Sequence, residues 1–237
     1  MHRVPSLSKQ ERLTLEQLLH ILENAGWDAP DLAGEDISDL DLSAPVLEAQ
    51  WRKRGFAPDR PPPWWSPADP QRNKPPGLHL YRAYMEATVL RRTRLPGADL
   101  RWANLIGAAG GGADLSAALL EGAHLQGASF KGATFVQADL SHIEGELAFF
   151  GETVMTEACF QEARLERAEF INADLRGADF RGALLTGVLF NGADLRGADL
   201  READLRGAQL ADALLAGARL EGARLDDVDM SRVRWSR

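Results

Sequence analysis

Large apolar residues recur at every fifth position along most of this chain. In the stretch NGADLRGADLREADLRGAQL, leucine stands at 195, 200, 205 and 210, and alanine stands two places before each of them. Apolar spacing of three and four predicts an α-helix, and spacing of two predicts a strand. A spacing of five fits neither, because successive leucines would spread around a helix and would alternate between the two sides of a strand. The period therefore predicts a backbone that turns a corner within every repeat.

The five-residue register continues far beyond this stretch. From Leu80 to Trp235 an apolar residue, mostly Leu or Phe, stands at almost every multiple of five, and a small residue, usually Ala, stands two places before it. We call the residue at each multiple of five the centre of its repeat. Gly110 and Gly145 are the two glycines found where a centre is expected. Residues 78–237 thus form 32 consecutive pentapeptides, in which the centre and the small residue are expected to point into a common core.

The repeats resemble those of a known family. ADLRG, ANLIG, ADLSA and AEFIN match the A(D/N)Lxx signature of pentapeptide-repeat proteins, and the register covers about two thirds of the chain. The resemblance implies an all-β fold, a right-handed quadrilateral β-helix in which four pentapeptides form one coil, so that this chain would have eight coils. Coils must stack because one coil alone cannot bury its apolar side. Backbone pairing at ~4.8 Å per coil would give a rod of roughly 38 Å.

The N-terminal residues predict a helix followed by one further coil. SKQERLTLEQLLHILENAGW has leucines at helical spacing, which predicts an amphipathic helix from about residue 8 to residue 25. We expect residues 1–28 to hold this capping α-helix, since the end of a solenoid needs a cover. Residues 29–47 predict a first, irregular coil. Its centres are again five apart: Leu32, Ile37, Leu42 and Leu47.

Residues 48–77 interrupt the pattern with a segment rich in proline and charge. Proline removes a backbone donor, so the segment predicts a loop inserted between the first coil and the solenoid of residues 78–237. The run PPPWW contains Trp64 and Trp65 and leaves two interpretations open. The pair packs against the rod, which the sequence favours because exposed adjacent tryptophans promote aggregation. Otherwise the pair docks a partner protein, for which exposed Trp is a strong anchor.

Composition limits the environment and the partners. The single Cys159 excludes a disulfide framework and suits a reducing compartment. The first residues lack the apolar run of a secretory signal, and no stretch is long enough to span a membrane, so we expect a cytoplasmic protein without a membrane partner. The formal net charge of −8 comes entirely from residues 95–237. An acidic rod is a poor candidate for direct binding of nucleic acid, which needs a basic face.

The chain shows no motif of a known catalytic type, and it predicts no catalytic residue, no cofactor and no metal ligand. Metalloprotease, nucleophile-elbow and phosphate-loop patterns are absent from the sequence. Its carboxylates follow the repeat instead, because Asp commonly precedes a centre and Arg commonly follows one. Both positions are expected on the same flat surface, in alternating columns of opposite charge. This pattern is typical of a solvated surface and not of an active site, so the chain is not expected to be an enzyme.

Two features of the surface are candidate partner-binding sites. Residues 139–174 contain nine acidic and two basic residues. If every fourth repeat stacks, Glu144, Glu146 and Glu166 share one face, although the whole acidic segment forms a belt round the rod. The second feature is the apolar residue found in place of the usual Asp. Three such residues are candidates for contact: Phe149, Leu184 and Leu189.

Two functions remain open at this stage. The first is a non-catalytic solenoid that binds another protein or acts as a scaffold, with an unidentified partner. The alternative follows from the resemblance, because some pentapeptide-repeat proteins mimic DNA and occupy the DNA-binding site of type II topoisomerases such as gyrase. Those mimics dimerise through a C-terminal helix, whereas here the repeats run to Met230 and no such helix is visible. The oligomeric state of the chain is therefore left open.

Overall fold

The fold is a stack of square coils preceded by two short helices. In the computed structural model, the described residues are 12–24, 32, 35, 37, 40, 42, 44–53, 80, 83 and 85–235. The helices are α1 (Leu15–Asn24) and α2 (Ala44–Lys53). From residue 86 onward, two-residue turns alternate with single residues in parallel β-bridges. Each bridge joins residues 20 apart, from Val89↔Ala109 to Leu214↔Arg234, so one coil contains four pentapeptides. The β-helix expected from the repeats is the observed architecture.

A tight turn at the end of each pentapeptide explains the period of five. The amide three residues after a centre donates to the carbonyl of that centre, as Ala123 does to Leu120 at 2.9 Å. The residue two after the centre has a positive φ at every corner from Ala87 to Asp227. Positive φ at the third of four residues is the geometry of a type II turn, which favours glycine. Each turn redirects the chain and begins the next side of the square.

Backbone hydrogen bonds join the coils along all four sides. The amide of Leu120 donates to the carbonyl of Asp139 at 2.6 Å, and the amide of Asp139 donates back to the carbonyl of Ala118 at 2.9 Å. We number the four sides in chain order. Face 1 has its centres at residues 100, 120 and so on, in steps of twenty. Faces 2, 3 and 4 have their centres at residues 105, 110 and 115, respectively, and at every residue that differs from these by a multiple of twenty. The residues just before and after a centre lie on the outside of its face, and the residue two after it forms the corner with the next face.

The core confirms which side chains point inward. Centres and the small residues before them are buried throughout residues 80–215. Phenylalanine rings stack between coils in the core, with centroids 5.1 Å apart for Phe150 and Phe170. The two exceptional glycines make room for larger neighbours. A Cβ at Gly110 would lie 2.3 Å from the ring of Phe130, and one at Gly145 would lie 2.8 Å from Leu165.

The last described coil departs from this rule. The centres Leu220, Leu225 and Met230 are only partly buried, and Trp235 is 52% exposed. Among the described residues, no further coil packs against this end, and these side chains are correspondingly less buried. The expectation that every centre lies inside the tube is therefore wrong for Trp235.

Helix α1 begins at Leu15, later than the predicted start near residue 8. The side chain of Thr14 accepts a hydrogen bond from the Gln17 amide at 3.2 Å, and the Gln17 side chain accepts one from the Thr14 amide at 2.8 Å. This reciprocal capping box defines the first turn and explains the later start. Leu18 and Leu19 of α1 are buried in the same hydrophobic cluster as the centres.

Residues from the segment before α2 pair with the first regular repeats. The amide of Val89 donates to the Leu40 carbonyl at 2.9 Å, and the amide of Leu42 donates to the Val89 carbonyl at 2.8 Å. The buried hydroxyl of Thr93 donates to the Leu42 carbonyl at 2.7 Å. Ile37 is fully buried. A stretch of chain with five-residue spacing therefore extends the stack on its N-terminal side.

Helix α2 covers the first residues of the segment predicted as a loop. It runs from Ala44 to Lys53, so residues 48–53 are helical. Residues 44–47, which were predicted to end the first coil with Leu47 as a centre, belong to the same helix. Proline is tolerated in the first turn of a helix, where Pro45 lies, and the next proline in the sequence is Pro58. Trp64 and Trp65, and the rest of the predicted loop to residue 77, lie outside the described residues. Neither α1 nor α2 is long and apolar enough to cross a membrane, and the described residues contain no other helix.

Candidate protein-binding faces

Charge is distributed unequally over the four faces. Between residues 86 and 235, the outward and corner residues of faces 1 and 2 include fifteen acidic and eight basic side chains. The corresponding residues of faces 3 and 4 include eight of each. The net charge of −7 on this part of the rod therefore lies on two adjacent faces. The predicted acidic belt does not show this difference between the faces. The difference appears only when the charges of residues twenty apart, which share a face, are added together.

Paired Asp and Arg side chains form ordered columns on the outside. Arg196 contacts both carboxylate oxygens of Asp194, with Nε 2.8 Å from Oδ1 and Nη2 2.6 Å from Oδ2. The same pairing recurs five more times, at residues 99/101, 174/176, 179/181, 199/201 and 204/206. Hydrogen bonding from the arginine holds the pKa of Asp194 and Asp204 below the usual value. These carboxylates are fixed and ionised, as the predicted solvated columns require.

The three candidate glutamates of face 2 lie together. Glu144, Glu146 and Glu166 line a shallow depression of about 210 Å³, together with Gln126 and Arg164. The Gln126 side-chain amide donates to Glu144 at 2.8 Å, and Arg164 Nη2 lies 3.3 Å from Glu166 Oε1. The predicted sharing of one face by these glutamates agrees with the structure. The depression exposes more negative charge than Arg164 neutralises.

The apolar candidates do not form one cluster. Leu184 lies on face 2, whereas Phe149 and Leu189 lie on face 3, and all three are half-buried. Phe149 folds over the glycine that follows its centre, since a Cβ at Gly151 would meet the ring at 2.8 Å. The most exposed large apolar side chain of this region is Leu147, at 58%. It stands at a corner with a φ of 58°, a backbone conformation that favours glycine.

The acidic segment coincides with an unusual run of corners. Eight successive corners, from Gln137 to Asn172, have a side chain at positive φ, whereas glycine predominates at the remaining corners. A non-glycine residue in this backbone region costs on the order of 1–3 kcal/mol. Glu152, Glu157 and Glu162 occupy three of these corners in succession. The carboxylates therefore point outward round the rod, in agreement with the predicted belt.

The described residues were searched for metal-binding groups and for a reactive thiol. Among them, no group of His, Cys, Asp and Glu side chains is arranged to hold a metal ion. Burial raises the pKa of the Cys159 thiol, and the nearby Asp139 and Asp179 carboxylates raise it further. A thiol with a raised pKa is a poor nucleophile at neutral pH.

Comparison with known proteins identifies the repeats. The family model for pentapeptide repeats matches eight copies, over residues 79–108, 111–143, 150–187 and 193–232. Among solved structures, the chain is similar to HetL, a pentapeptide repeat protein involved in heterocyst differentiation regulation from the cyanobacterium Nostoc sp. strain PCC 7120. The identity is 22%, the match covers 94% of this chain and 97% of HetL, and the TM-score is 0.47.

Two further structural matches are shorter. A trypsin-treated form of QnrB1, a plasmid-mediated fluoroquinolone resistance protein, is 21% identical, with coverage of 52% of this chain and 65% of QnrB1 and a TM-score of 0.39. A pentapeptide repeat protein from the Arabidopsis thaliana thylakoid lumen is 29% identical, with coverage of 46% and 62% and a TM-score of 0.22. No curated protein matches the chain. Since all three TM-scores are below 0.5, the family assignment depends on the repeat match alone.

Proposed function

The chain belongs to the pentapeptide-repeat family, and from that premise we propose that it is a non-catalytic β-solenoid that binds another protein or acts as a scaffold. The observation that carries this proposal is the charge asymmetry of the rod, with its net charge of −7 on faces 1 and 2. Flat faces of this kind suit a partner whose complementary surface is basic. Such complementarity increases the rate of association and selects against acidic partners.

A macromolecular partner fits these faces better than a small ligand does. Ligand pockets usually enclose about 300–1,000 Å³ and are mostly apolar. The depression at Glu144, Glu146 and Glu166 is smaller, at about 210 Å³, and is lined by charged and amide side chains. We therefore assign these glutamates to electrostatic contact with a basic protein surface. The net negative charge argues against direct contact with nucleic acid.

The remaining candidates have different proposed roles. Leu184 lies on the same face as the glutamates and would give that contact an apolar component. Trp64 and Trp65, outside the described residues, keep the proposed role of partner anchor or of packing against the rod. The proposed role of α1 is to cap the N-terminal end, which the burial of Leu18 and Leu19 supports. A reducing, cytoplasmic location is proposed from the single cysteine.

Charge reversal on one face tests the binding proposal. The variant Glu144→Lys/Glu146→Lys/Glu166→Lys is used as bait in a pull-down from the cells that contain the protein. A second variant makes the same charge change on faces 3 and 4, by Asp114→Lys/Glu152→Lys/Asp174→Lys. We expect the face 2 variant to lose a specific partner that the wild type and the second variant both retain. Equal loss in both variants, or no protein retained by the wild type, would contradict the proposal.

A separate deletion tests the loop. Removal of residues 54–76 deletes most of the loop and keeps every residue of α2 and of the regular coils. If Trp64 and Trp65 anchor the partner, the deletion should weaken its capture as strongly as the face 2 charge reversal does. An unchanged set of captured proteins would show that the loop does not dock the partner.

The alternative is a DNA mimic that binds a type II topoisomerase. It is supported by the local charge of residues 139–174, nine acidic against two basic. Double-stranded DNA carries one charge per ~1.7 Å, so the described coils would need roughly 20 charges to match it. The rod has a net −7 there, and its acidic segment runs round the axis and not along it. A gyrase supercoiling assay separates the two functions, since absence of both inhibition and quinolone protection at micromolar protein would remove the alternative.

A further inference from the structure

Face 3 is electrically neutral, but its charges are sorted along the rod. Its basic residues Arg91, Arg92 and Lys131 lie toward the N-terminal end. Three acidic residues, Glu169, Asp212 and Asp229, lie toward the other end, where the fourth basic residue, Arg232, is paired with Asp212. The middle is apolar around Phe149. A face with this order is complementary to its own copy turned end to end. We propose that face 3 is the interface of an antiparallel, two-fold symmetric dimer with a second copy of this chain.

Symmetry determines which residues would meet. In a two-fold interface the same patch contributes from both copies. Let the two-fold axis lie in the interface, perpendicular to the rods, at the coil of Phe149. A coil that precedes the Phe149 coil in one copy then faces the coil that follows it at the same distance in the other copy. Residues before a centre then face residues before a centre, and corners face corners. The pairs opposite each other can therefore be read from the 20-residue repeat.

Opposite charges meet in this arrangement. The corner residue Arg92 faces the corner residue Asp212 of the other copy, which would add a second cation to the bond that Asp212 receives from Arg232 in its own chain. Glu169 faces Ser129, with Lys131 in the neighbouring column. Each contact occurs twice because of the symmetry. The two copies of Glu152 approach each other near the axis, but each is already neutralised by Lys131, whose Nζ is 3.1 Å from its carboxylate.

Shapes are complementary as well. Leu189 faces Ala109, and the next residues outward in that coil are Gly111 and Gly112, which leave room for a larger side chain. At the axis, Phe149 meets its own copy beside Gly151. Leu147, which is 58% exposed in the single chain, lies at the corner next to the axis and would be covered by its symmetry mate. A single contact of this geometry would bury Phe149 and Leu189, two of the half-exposed apolar residues of face 3.

No other face of the described rod offers this match. Faces 1 and 2 hold the excess of negative charge and would repel a second copy. Face 4 is neutral, but its Asp174–Arg176 and Asp194–Arg196 pairs are formed within the chain. Its remaining arginines include Arg94 near one end and Arg234 near the other, and antiparallel overlap would bring these like charges together. Face 3 is thus the one on which charge and shape both favour self-association.

The expected affinity is modest. The overlap from the coil of Arg92 to the coil of Asp212 is six coil spacings, or roughly 29 Å, on a face only a few residues wide. An interface at the low end of specific protein contacts should have a dissociation constant in the micromolar range. The dimer leaves faces 1 and 2 of both copies open, so the proposal does not depend on the proposed binding function.

Sedimentation velocity on the full chain, from about 1 to about 200 µM, tests the interface. We expect a monomer–dimer equilibrium for the wild type and at least ~10-fold weaker association for Leu189→Asp. The matched control is Leu184→Asp, the same change at a half-buried leucine of face 2. It should dimerise like the wild type. Circular dichroism verifies that both variants are folded.

A charge exchange tests the antiparallel geometry. Arg92→Asp and Asp212→Arg should each weaken the dimer, and the double variant should restore it, because the opposite charges then meet again. A wild type that stays monomeric at 200 µM would overturn the proposal. So would equal weakening by Leu184→Asp and Leu189→Asp, or a double variant no better than the single ones.

Discussion

Replacing Gly110 by alanine should destabilise the solenoid, whereas the same change at Gly111 should not. Gly110 occupies a centre, and its missing side chain leaves space that the Phe130 ring fills. A Cβ there would lie 2.3 Å from Phe130 Cδ1 and Cε1, against 3.6 Å from the nearest atom for a Cβ at Gly111. Neither glycine has a positive φ, so the comparison isolates crowding in the core.

The magnitude follows from how firmly Phe130 is held. Its ring packs edge-on against Phe135, with centroids 5.3 Å apart, and stacks on Phe150 at 6.0 Å. Overpacking of a tight core costs about 1–3 kcal/mol. At an uncrowded site, Gly→Ala restricts the unfolded chain and stabilises by about 0.4–1 kcal/mol. The free energies of unfolding of the Gly110→Ala and Gly111→Ala variants should therefore differ by about 1.4–4 kcal/mol.

Urea denaturation followed by circular dichroism measures the difference in stability between the two alanine variants as a difference between their urea midpoints. The midpoints of two variants can be compared even where a repeat protein unfolds in stages. Trimming the ring should rescue the crowded variant. Phe130→Leu combined with Gly110→Ala should give a coupling energy of at least about 1 kcal/mol in a double-mutant cycle. Equal stability of the two alanine variants, or no coupling with Phe130→Leu, would refute the proposed packing of the core.

Four further substitutions test the corners and the surface columns. Gly122→Ala should cost about 1–3 kcal/mol, and less in a Trp102→Ala background, because its Cβ would lie 2.5 Å from the Trp102 ring and its φ is +66°. Glu202→Gly, at a corner with φ of 61°, should raise the free energy of unfolding by up to about 1 kcal/mol, which is measured as a higher urea midpoint. Gly197→Glu should lower the free energy of unfolding by a similar amount. Hydrogen bonding to its arginine partner lowers the pKa of Asp199. The stabilisation from this depressed pKa is complete above the ordinary Asp value near ~4 and is lost as the pH falls through the folded-state pKa. Asp199→Asn should therefore be less stable by up to about 1 kcal/mol at pH 7, and thermal melts should show the difference disappearing in strong acid.

The solenoid itself could be predicted because its core repeats in the sequence. A centre at every fifth residue with Ala two places before it admits few architectures, and Leu175 and Leu200 are buried as expected. The exceptions could not be predicted from one repeat. The need for glycine at Gly110 and Gly145 depends on Phe130 and Leu165, each twenty residues later. Residues twenty apart can be recognised as neighbours only once the length of one coil is known.

The helices show the limit of apolar spacing as a guide. It placed a helix near α1 but not its start, because the hydrogen bonds between Thr14 and Gln17 decide where the first turn forms. It missed α2, since proline and charge in residues 48–77 outweighed the helix-forming residues just before them. Local side-chain bonds and short helical stretches are weak signals beside a long repeat.

The candidate surface was predicted in part. Glu144, Glu146 and Glu166 share a face as their spacing indicated. The half-buried state of Phe149 was not foreseen, because it depends on the glycine that follows its centre. The charge asymmetry of the whole rod was missed for a different reason. Neighbouring repeats lie on different faces, so a local count of charges mixes all four.

The central claim is that the chain advances by one coil every twenty residues, and the native Cys159 allows a direct measurement. Its bridge partners are Asp139 and Asp179. Asp179→Cys would place a second thiol in the next coil, at ~4.8 Å along the stack. Dibromobimane, which becomes fluorescent when it bridges two nearby thiols, should react within this variant. It should not do so with Asp174→Cys or Leu184→Cys, which stand on other faces. Bridging at all three spacings, or only at a spacing other than twenty, would contradict the square solenoid.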